Sequence, residues 1–113
     1  MCGRYFLQRD PAGTANYYER AGTSGAPNYA ANWNVAPTHD MPVLRRHPDS
    51  GERRLDLLRW GLVPRWAKDA SGGARLINAR AEGVAEKPSF RDAFAKRRCL
   101  VPADGFYEWL TPV

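Results

Sequence analysis

Cys2 is where chemistry can be built into this chain. The initiator Met1 precedes a small side chain, the context in which it is usually trimmed, and trimming would leave Cys2 with an α-amine and a thiol on adjacent carbons. Ordinary α-amines titrate near ~7.7–8.0 and cysteine thiols near ~8.5, so both keep a nucleophilic fraction at neutral pH. A 1,2-aminothiol attacks an aldehyde through nitrogen, and the sulfur then closes on the imine carbon to give a thiazolidine. The plainer alternative is an ordinary cysteine near a frayed terminus.

Other side chains have chemical potential of their own. Alternation along 106–110 puts Phe106, Glu108 and Leu110 on one face, with Tyr107 and Trp109 on the other. A carboxylate between two large apolar groups is desolvated and suited to proton transfer, unless it pairs with an arginine. Asn78 lies in an apolar stretch and must find hydrogen bonds, which structural satisfaction alone would explain. Trp60 and Trp66 flank Arg65 in a Pro- and Gly-containing segment, either a base-stacking wedge or core tryptophans around a rigid turn.

The elements that must position these groups are short. Arg4–Leu7 is predicted as a strand closed by Asp10-Pro11, with Cys2, Arg4 and Phe6 on one face. A helix is predicted from about Gly13 to Arg20, ended by Gly22 and Thr23-Ser24-Gly25. Asn32–Thr38 reads as a surface loop. Met41–Arg46 and Arg54–Trp60 read as an antiparallel hairpin turning at Pro48-Asp49-Ser50-Gly51. Lys68–Arg75 reads as a glycine-containing loop leading into a strand over Leu76–Arg80. Ser89 and Asp92 have capping-box spacing for a helix, with Phe90 and Phe94 on one face and Lys96, Arg97 and Arg98 at its C-terminal end. Cys99–Pro102 leaves it as a strand, turns at Ala103-Asp104-Gly105 and runs back through Phe106–Leu110.

At 113 residues the chain is long enough for one small domain, expected to be an incomplete one. Its 43% hydrophobic and 26% charged residues are those of a globular protein, not a disordered polymer. No apolar run is long enough to span a membrane, and the N-terminus lacks a secretory layout. With only Cys2 and Cys99, a disulfide framework is not expected and a reducing cytosol is the default. His39 and His47 have no metal-site spacing, so no zinc is assigned. The net charge of +5 and pI near 9.6 favour anionic partners, and the Trp, Tyr and Phe residues could stack on unpaired bases. A merely solvated basic surface is equally compatible with composition alone. The sequence ends on the apolar Glu108-Trp109-Leu110-Thr111-Pro112-Val113, which predicts a boundary inside a larger folded unit.

Five ordered stretches then make a pattern: Met1–Tyr5, Asn34–Thr38, Arg59–Ala67, Ile77–Glu82 and Cys99–Trp109. Together they resemble the SOS-response-associated peptidase (SRAP) family, over the N-terminal half of its domain. That resemblance implies an α+β fold, mainly antiparallel β in a mixed-sheet or partial-barrel core, with a few short peripheral helices and a basic groove. It implies covalent shielding of abasic sites in single-stranded DNA, through a thiazolidine between Cys2 and the ring-opened sugar. A peptidase activity that removes the N-terminal methionine has also been proposed for the family. By the same resemblance Cys2 is the nucleophile, Asn78 the amide that holds cysteine and sugar, and Glu108 the active-site acid. Arg4 and Arg80 would contact phosphate, Trp66 would be the wedge, and Trp33 and Pro37 would lie near the same cleft. No cofactor or membrane is implied, and the place of work is DNA, on a bacterial nucleoid or in a nucleus. The family's second-half histidine has no counterpart, since neither His39 nor His47 lies in a matching motif. Two other readings are a non-covalent single-strand-binding module and a Cys2-dependent hydrolase or autopeptidase, the latter lacking an evident histidine base.

Overall fold

The computed structural model describes residues 2–19 and 27–110. The expected ends of the first helix at Arg20 and Gly22, the run Thr23-Ser24-Gly25, and Thr111–Val113 lie outside the described residues. The architecture is α+β, as expected, with two antiparallel three-stranded sheets that do not close into a barrel. One sheet has the order β2-β1-β6 and the other β4-β3-β5, with β1 Tyr5–Leu7, β2 Asn32–Val35, β3 Asp40–Arg46, β4 Arg53–Arg59, β5 Cys99–Leu100 and β6 Gly105–Phe106. Two helices flank them, α1 Pro11–Glu19 and α2 Pro88–Lys96.

Alternation does most of the work in the first sheet. Tyr5 and Leu7 are buried while Phe6 points the other way, and Val35 of β2 joins Tyr5, Leu7 and Met41 in the core. Tyr29 and Trp60 pack against that cluster. Burying side chains of this size contributes roughly 1.5–3 kcal/mol each. The expected hairpin forms between β3 and β4, with a register running from Asp40 opposite Arg59 to Arg46 opposite Arg53. Its turn is held by His47, whose Nδ1 accepts the Asp49 and Ser50 N–H groups, and by Gly51 at φ +72°.

Several expectations are corrected. Asn32–Val35 is a strand rather than a loop, because pairing of Tyr5 with Val35 and Leu7 with Asn32 overrides the poor strand propensity of asparagine. Leu76–Arg80 is not a strand. Its carbonyls are taken singly, Leu76 O by the Leu62 N–H at 3.0 Å and Ile77 O by the Trp60 indole at 3.1 Å, with no ladder. A 3-10 turn over Gly73–Arg75 precedes it inside the expected loop. Helix α1 begins at Pro11, with Asp10 capping it by accepting the Gly13 N–H at 2.7 Å. Helix α2 begins at Pro88, whose fixed φ suits the first helical position; Lys87 is its N-cap, and no Ser89–Asp92 box forms. Asp92 instead faces Arg65 at 3.5 Å and Arg91 at 3.6 Å. Phe90 is buried, whereas Phe94 lies beneath the Arg98 guanidinium.

The last two strands do not form a hairpin with each other. β5 pairs with β3 and β6 with β1, so the 101–104 segment carries the chain from one sheet to the other. Asp104 anchors that crossing: its carboxylate accepts the Gln8 N–H at 2.7 Å and the Arg9 N–H at 3.3 Å.

Gly61 lies close against the backbone of Gly73. Its φ is +134°, and a Cβ there would stand 2.6 Å from the Gly73 carbonyl oxygen. Gly61→Ala is expected to lower stability by more than about 1 kcal/mol, through both the left-handed backbone and the clash. Chemical denaturation of the two proteins measures it, and an unchanged midpoint would contradict this packing.

Candidate functional site

The N-terminus is tied down on two sides just before β1 begins. The Asn78 side-chain amide donates to the Cys2 carbonyl at 2.7 Å, across 76 positions of sequence. Two residues on, the Arg4 carbonyl accepts the Tyr107 N–H at 3.0 Å. The Cys2 thiol lies 3.5 Å from the same Arg4 carbonyl. Cys2 is half-buried, so its backbone is fixed while its functional groups stay within reach of solvent.

A cavity of about 600 Å³ opens beside it, lined by Gly3, Arg4, Trp33, Asn34, Tyr107, Glu108 and Trp109. Arg4 folds one guanidinium N–H onto the Gly3 carbonyl at 2.7 Å. A guanidinium has five donors, so others remain for an anion. Trp33 stacks on Phe6 with ring centroids 5.3 Å apart, yet is 57% exposed and lines the cavity. Tyr107 closes this wall, its hydroxyl donating to the Trp33 carbonyl at 2.8 Å and its ring tilted on Phe6 at 5.6 Å. A second cavity of about 790 Å³ adjoins Asn78 and is lined also by Arg75, Arg80, Glu82 and Lys87. Three cations, Arg75, Arg80 and Lys87, therefore share a cavity with Asn78, with the Glu82 carboxylate among them.

The structure thus brings Cys2 and Asn78 into contact, gathers Arg4, Trp33 and Glu108 around one cavity, and puts Arg80 with Asn78 at the other. Trp66 and Pro37 line neither cavity. Trp66 is 59% exposed in a turn closed by the Ala67 N–H on the Pro64 carbonyl, so its ring is available but apart. The apolar sandwich expected around Glu108 is absent: β6 ends at Phe106, Phe106 is 66% and Leu110 94% exposed, and Glu108 itself is exposed. Once the strand stops, alternation no longer sorts side chains, so Tyr107, Glu108 and Trp109 all line one cavity. Tyr107, Asn34 and Trp109 were not singled out from sequence as site residues. The Tyr107 contribution depends on β6 pairing with β1, which no local pattern announces.

Among the described residues no group of histidine, cysteine and acidic side chains could hold a metal ion. The His39 Nδ1 accepts the Ala36 N–H at 3.1 Å, so both histidines serve turns. Cys99 is the second thiol; partial burial pushes it up, with the Arg45 guanidinium acting the other way. Four arginines, Arg45, Arg46, Arg53 and Arg98, surround a separate cavity beside it, so the basic excess is not confined to the Cys2 end. No described helix is long and apolar enough to cross a membrane.

The described residues form an antiparallel α+β domain in which Cys2 is tied to Asn78 near the start of β1. The profile of the SOS response associated peptidase (SRAP) family matches residues 1–112, and the chain belongs to that family. Abasic site processing protein YoqW of Bacillus subtilis (strain 168) is 42% identical over 109 residues, covering 96% of this chain and 48% of that protein. Abasic site processing protein HMCES of Rattus norvegicus is 37% identical over 128 residues, covering 96% of this chain and 36% of its own length. A crystal structure of a protein from Bordetella bronchiseptica superposes with a TM-score of 0.70 at 27% identity, covering 95% of this chain and 50% of that one. The chain spans about half the length of the bacterial relatives it matches.

Tyr5 reports on the same corner. Burial raises its phenol from 10.0 to about 12, and the charge of Cys2 adds to the effect. Below pH 10 the phenol is neutral in both folded and unfolded chains, and its contribution is intact. As pH rises from 10.0 towards 12 only the unfolded chain ionises, so stability is expected to fall by on the order of 2 kcal/mol. Denaturation midpoints across that range, compared with Tyr5→Phe, measure it; the variant should lack this component, and parallel curves would contradict the assignment.

Proposed function

We propose that this chain captures abasic sites in single-stranded DNA covalently, through a thiazolidine formed by Cys2 once Met1 is removed. The observation that carries the reading is the Asn78 amide held 2.7 Å from the Cys2 carbonyl, beside the cavity of Arg4, Trp33 and Glu108. SRAP family membership, and relatives named for abasic site processing, support it.

An abasic sugar exchanges between a closed hemiacetal and an open aldehyde, and the aldehyde is the reactive form. The uncharged Cys2 amine attacks the aldehyde carbon, forming a C–N bond while the carbonyl electrons move to oxygen. The Glu108 carboxylate relays one proton from the now positive nitrogen to that oxygen, giving a hydroxyl. It then relays the second, so that the hydroxyl departs as water and an imine is left. The Cys2 sulfur adds to the imine carbon, the C=N electrons return to nitrogen, and nitrogen takes up the proton. One C–N and one C–S bond form and one water is lost, with no oxidant or cofactor. Asn78 orients the cysteine and does not titrate.

Arg4 in the first cavity and Arg80 beside Asn78 in the second hold backbone phosphates, which positions the strand without reading its sequence. Trp33 and Trp66 offer exposed rings for stacking, and Pro37 shapes the nearby turn. A nucleotide without a base has no stacking to lose, so the strand bends most cheaply at the lesion. Selectivity for damage over sequence follows, and the protein works wherever exposed single-stranded DNA is found.

Denaturing electrophoresis with a single strand carrying one abasic site tests the reading, using protein whose mature N-terminus has been verified by mass. A heat-stable shifted band is expected for the wild type and none for Cys2→Ala. Glu108→Gln is expected to slow its appearance by about 10²-fold, the usual scale for losing a general acid. Equal, purely non-covalent binding of abasic and intact strands by wild type and Cys2→Ala would replace this reading with a simple single-strand-binding module.

A further inference from the structure

Trp60, which the mechanism above does not use, stands between the core and the Cys2 site. It follows β4, and its backbone is fixed by donation from its N–H to the His39 carbonyl at 3.0 Å and from the Thr38 N–H to its own carbonyl at 2.9 Å. Its ring packs against Tyr5, centroids 5.6 Å apart, three positions along the chain from Cys2. From the same ring the indole N–H donates to the Ile77 carbonyl at 3.1 Å. Ile77 immediately precedes Asn78, in a segment that belongs to no helix or strand.

A peptide unit is planar, so the Ile77 carbonyl lies in one plane with the nitrogen and Cα of Asn78. Holding that carbonyl therefore fixes the Asn78 nitrogen and Cα, leaving its φ and its side-chain torsions to complete the contact with Cys2. The neighbouring supports lie upstream of it: Leu62 N–H on Leu76 O at 3.0 Å, and Gly61 against Gly73. The indole reaches the peptide next to Asn78 while its ring also packs on β1, the strand that follows the N-terminus.

We propose that Trp60 is a positioning residue for the Cys2 site, its indole N–H holding the Ile77 carbonyl so that the Asn78 amide meets the Cys2 carbonyl and presents amine and thiol in one orientation. The consequence for cross-linking rests on the abasic-site reading; the positioning itself does not. Supporting shells of this kind control rate through the group they hold, since small misplacements of reacting groups are costly.

Trp60→Phe keeps an aromatic ring against Tyr5 and deletes the N–H. Trp60→3-benzothienylalanine keeps the full shape with sulfur in place of the N–H, and serves if the smaller ring disturbs folding. Two readouts are needed, hydrogen exchange of the Asn78 side-chain amide by NMR and the single-turnover rate of cross-linking to an abasic single strand. In both variants the Asn78 amide is expected to lose protection and the rate to fall several-fold, with affinity for an intact strand unchanged. Combining Trp60→Phe with Asn78→Ala is expected to add nothing to the loss from Asn78→Ala alone, because both act through one contact. Wild-type protection and rate in both Trp60 variants, or additive losses in the double variant, would overturn the proposal. If the wild type itself forms no adduct, the abasic-site reading fails, and amide exchange decides the positioning alone: lost protection at unchanged melting temperature supports it, retained protection overturns it.

Discussion

The hydrogen bond between the Asn78 amide and the Cys2 carbonyl is the constraint on which this structure's chemistry depends. Chain termini fray unless tied, and a reactive terminus must be tied without being covered. Here the tie is made to a carbonyl, so the amine and thiol of the same residue remain uncommitted to it. The Tyr107 N–H on the Arg4 carbonyl provides the second hold, and β1 begins at the next residue. Order at Cys2 is therefore borrowed from β6 and from the 76–80 segment, both distant in sequence.

That dependence explains why short, irregular pieces matter more here than the regular hairpin. β3 and β4 form the longest ladder in the fold, yet neither contributes a wall to the cavity beside Cys2. Their part is indirect: the end of β4 delivers Trp60 and Gly61 to the place where they grip residues 73–77. Asp104 has a comparable part at the other end, fixing the crossing from β5 to β6 onto Gln8 and Arg9 so that Tyr107 and Glu108 arrive at the cavity. Rigid sheets set the positions, and loops carry the groups that act.

Features with local causes were legible in the sequence. The β3–β4 hairpin follows from two strand-forming runs around a Pro-Asp-Ser-Gly turn, and α2 from its phenylalanine spacing and basic end. Cys2 was legible as chemistry because an aminothiol needs no partner to be unusual. Asn78 and Glu108 stood out from their sequence surroundings as an amide in an apolar stretch and a carboxylate between apolar groups, and only the family resemblance gave them roles. The bond from Asn78 to Cys2 needs the fold to be seen. What failed was whatever depended on distant pairing. Asn32–Val35 became a strand because β1 lies beside it, and Leu76–Arg80 failed to become one because its carbonyls go to an indole and a single amide. The apolar enclosure expected for Glu108 assumed a strand that stops two residues too early. Trp60 looked like either wedge or core; its indole bond to a loop carbonyl is visible only in three dimensions.

The central claim is that Cys2 reacts with both of its functional groups, because its backbone is held so that amine and thiol reach one carbon. Mass spectrometry of the N-terminal peptide isolated from the DNA adduct tests this directly, with thiol alkylation and borohydride applied before digestion. The expected product has the mass of peptide plus deoxyribose fragment less one water, resists alkylation at Cys2 and is not trapped by borohydride. A free, alkylatable Cys2 thiol on a reducible imine, or attachment through a lysine, would contradict the account.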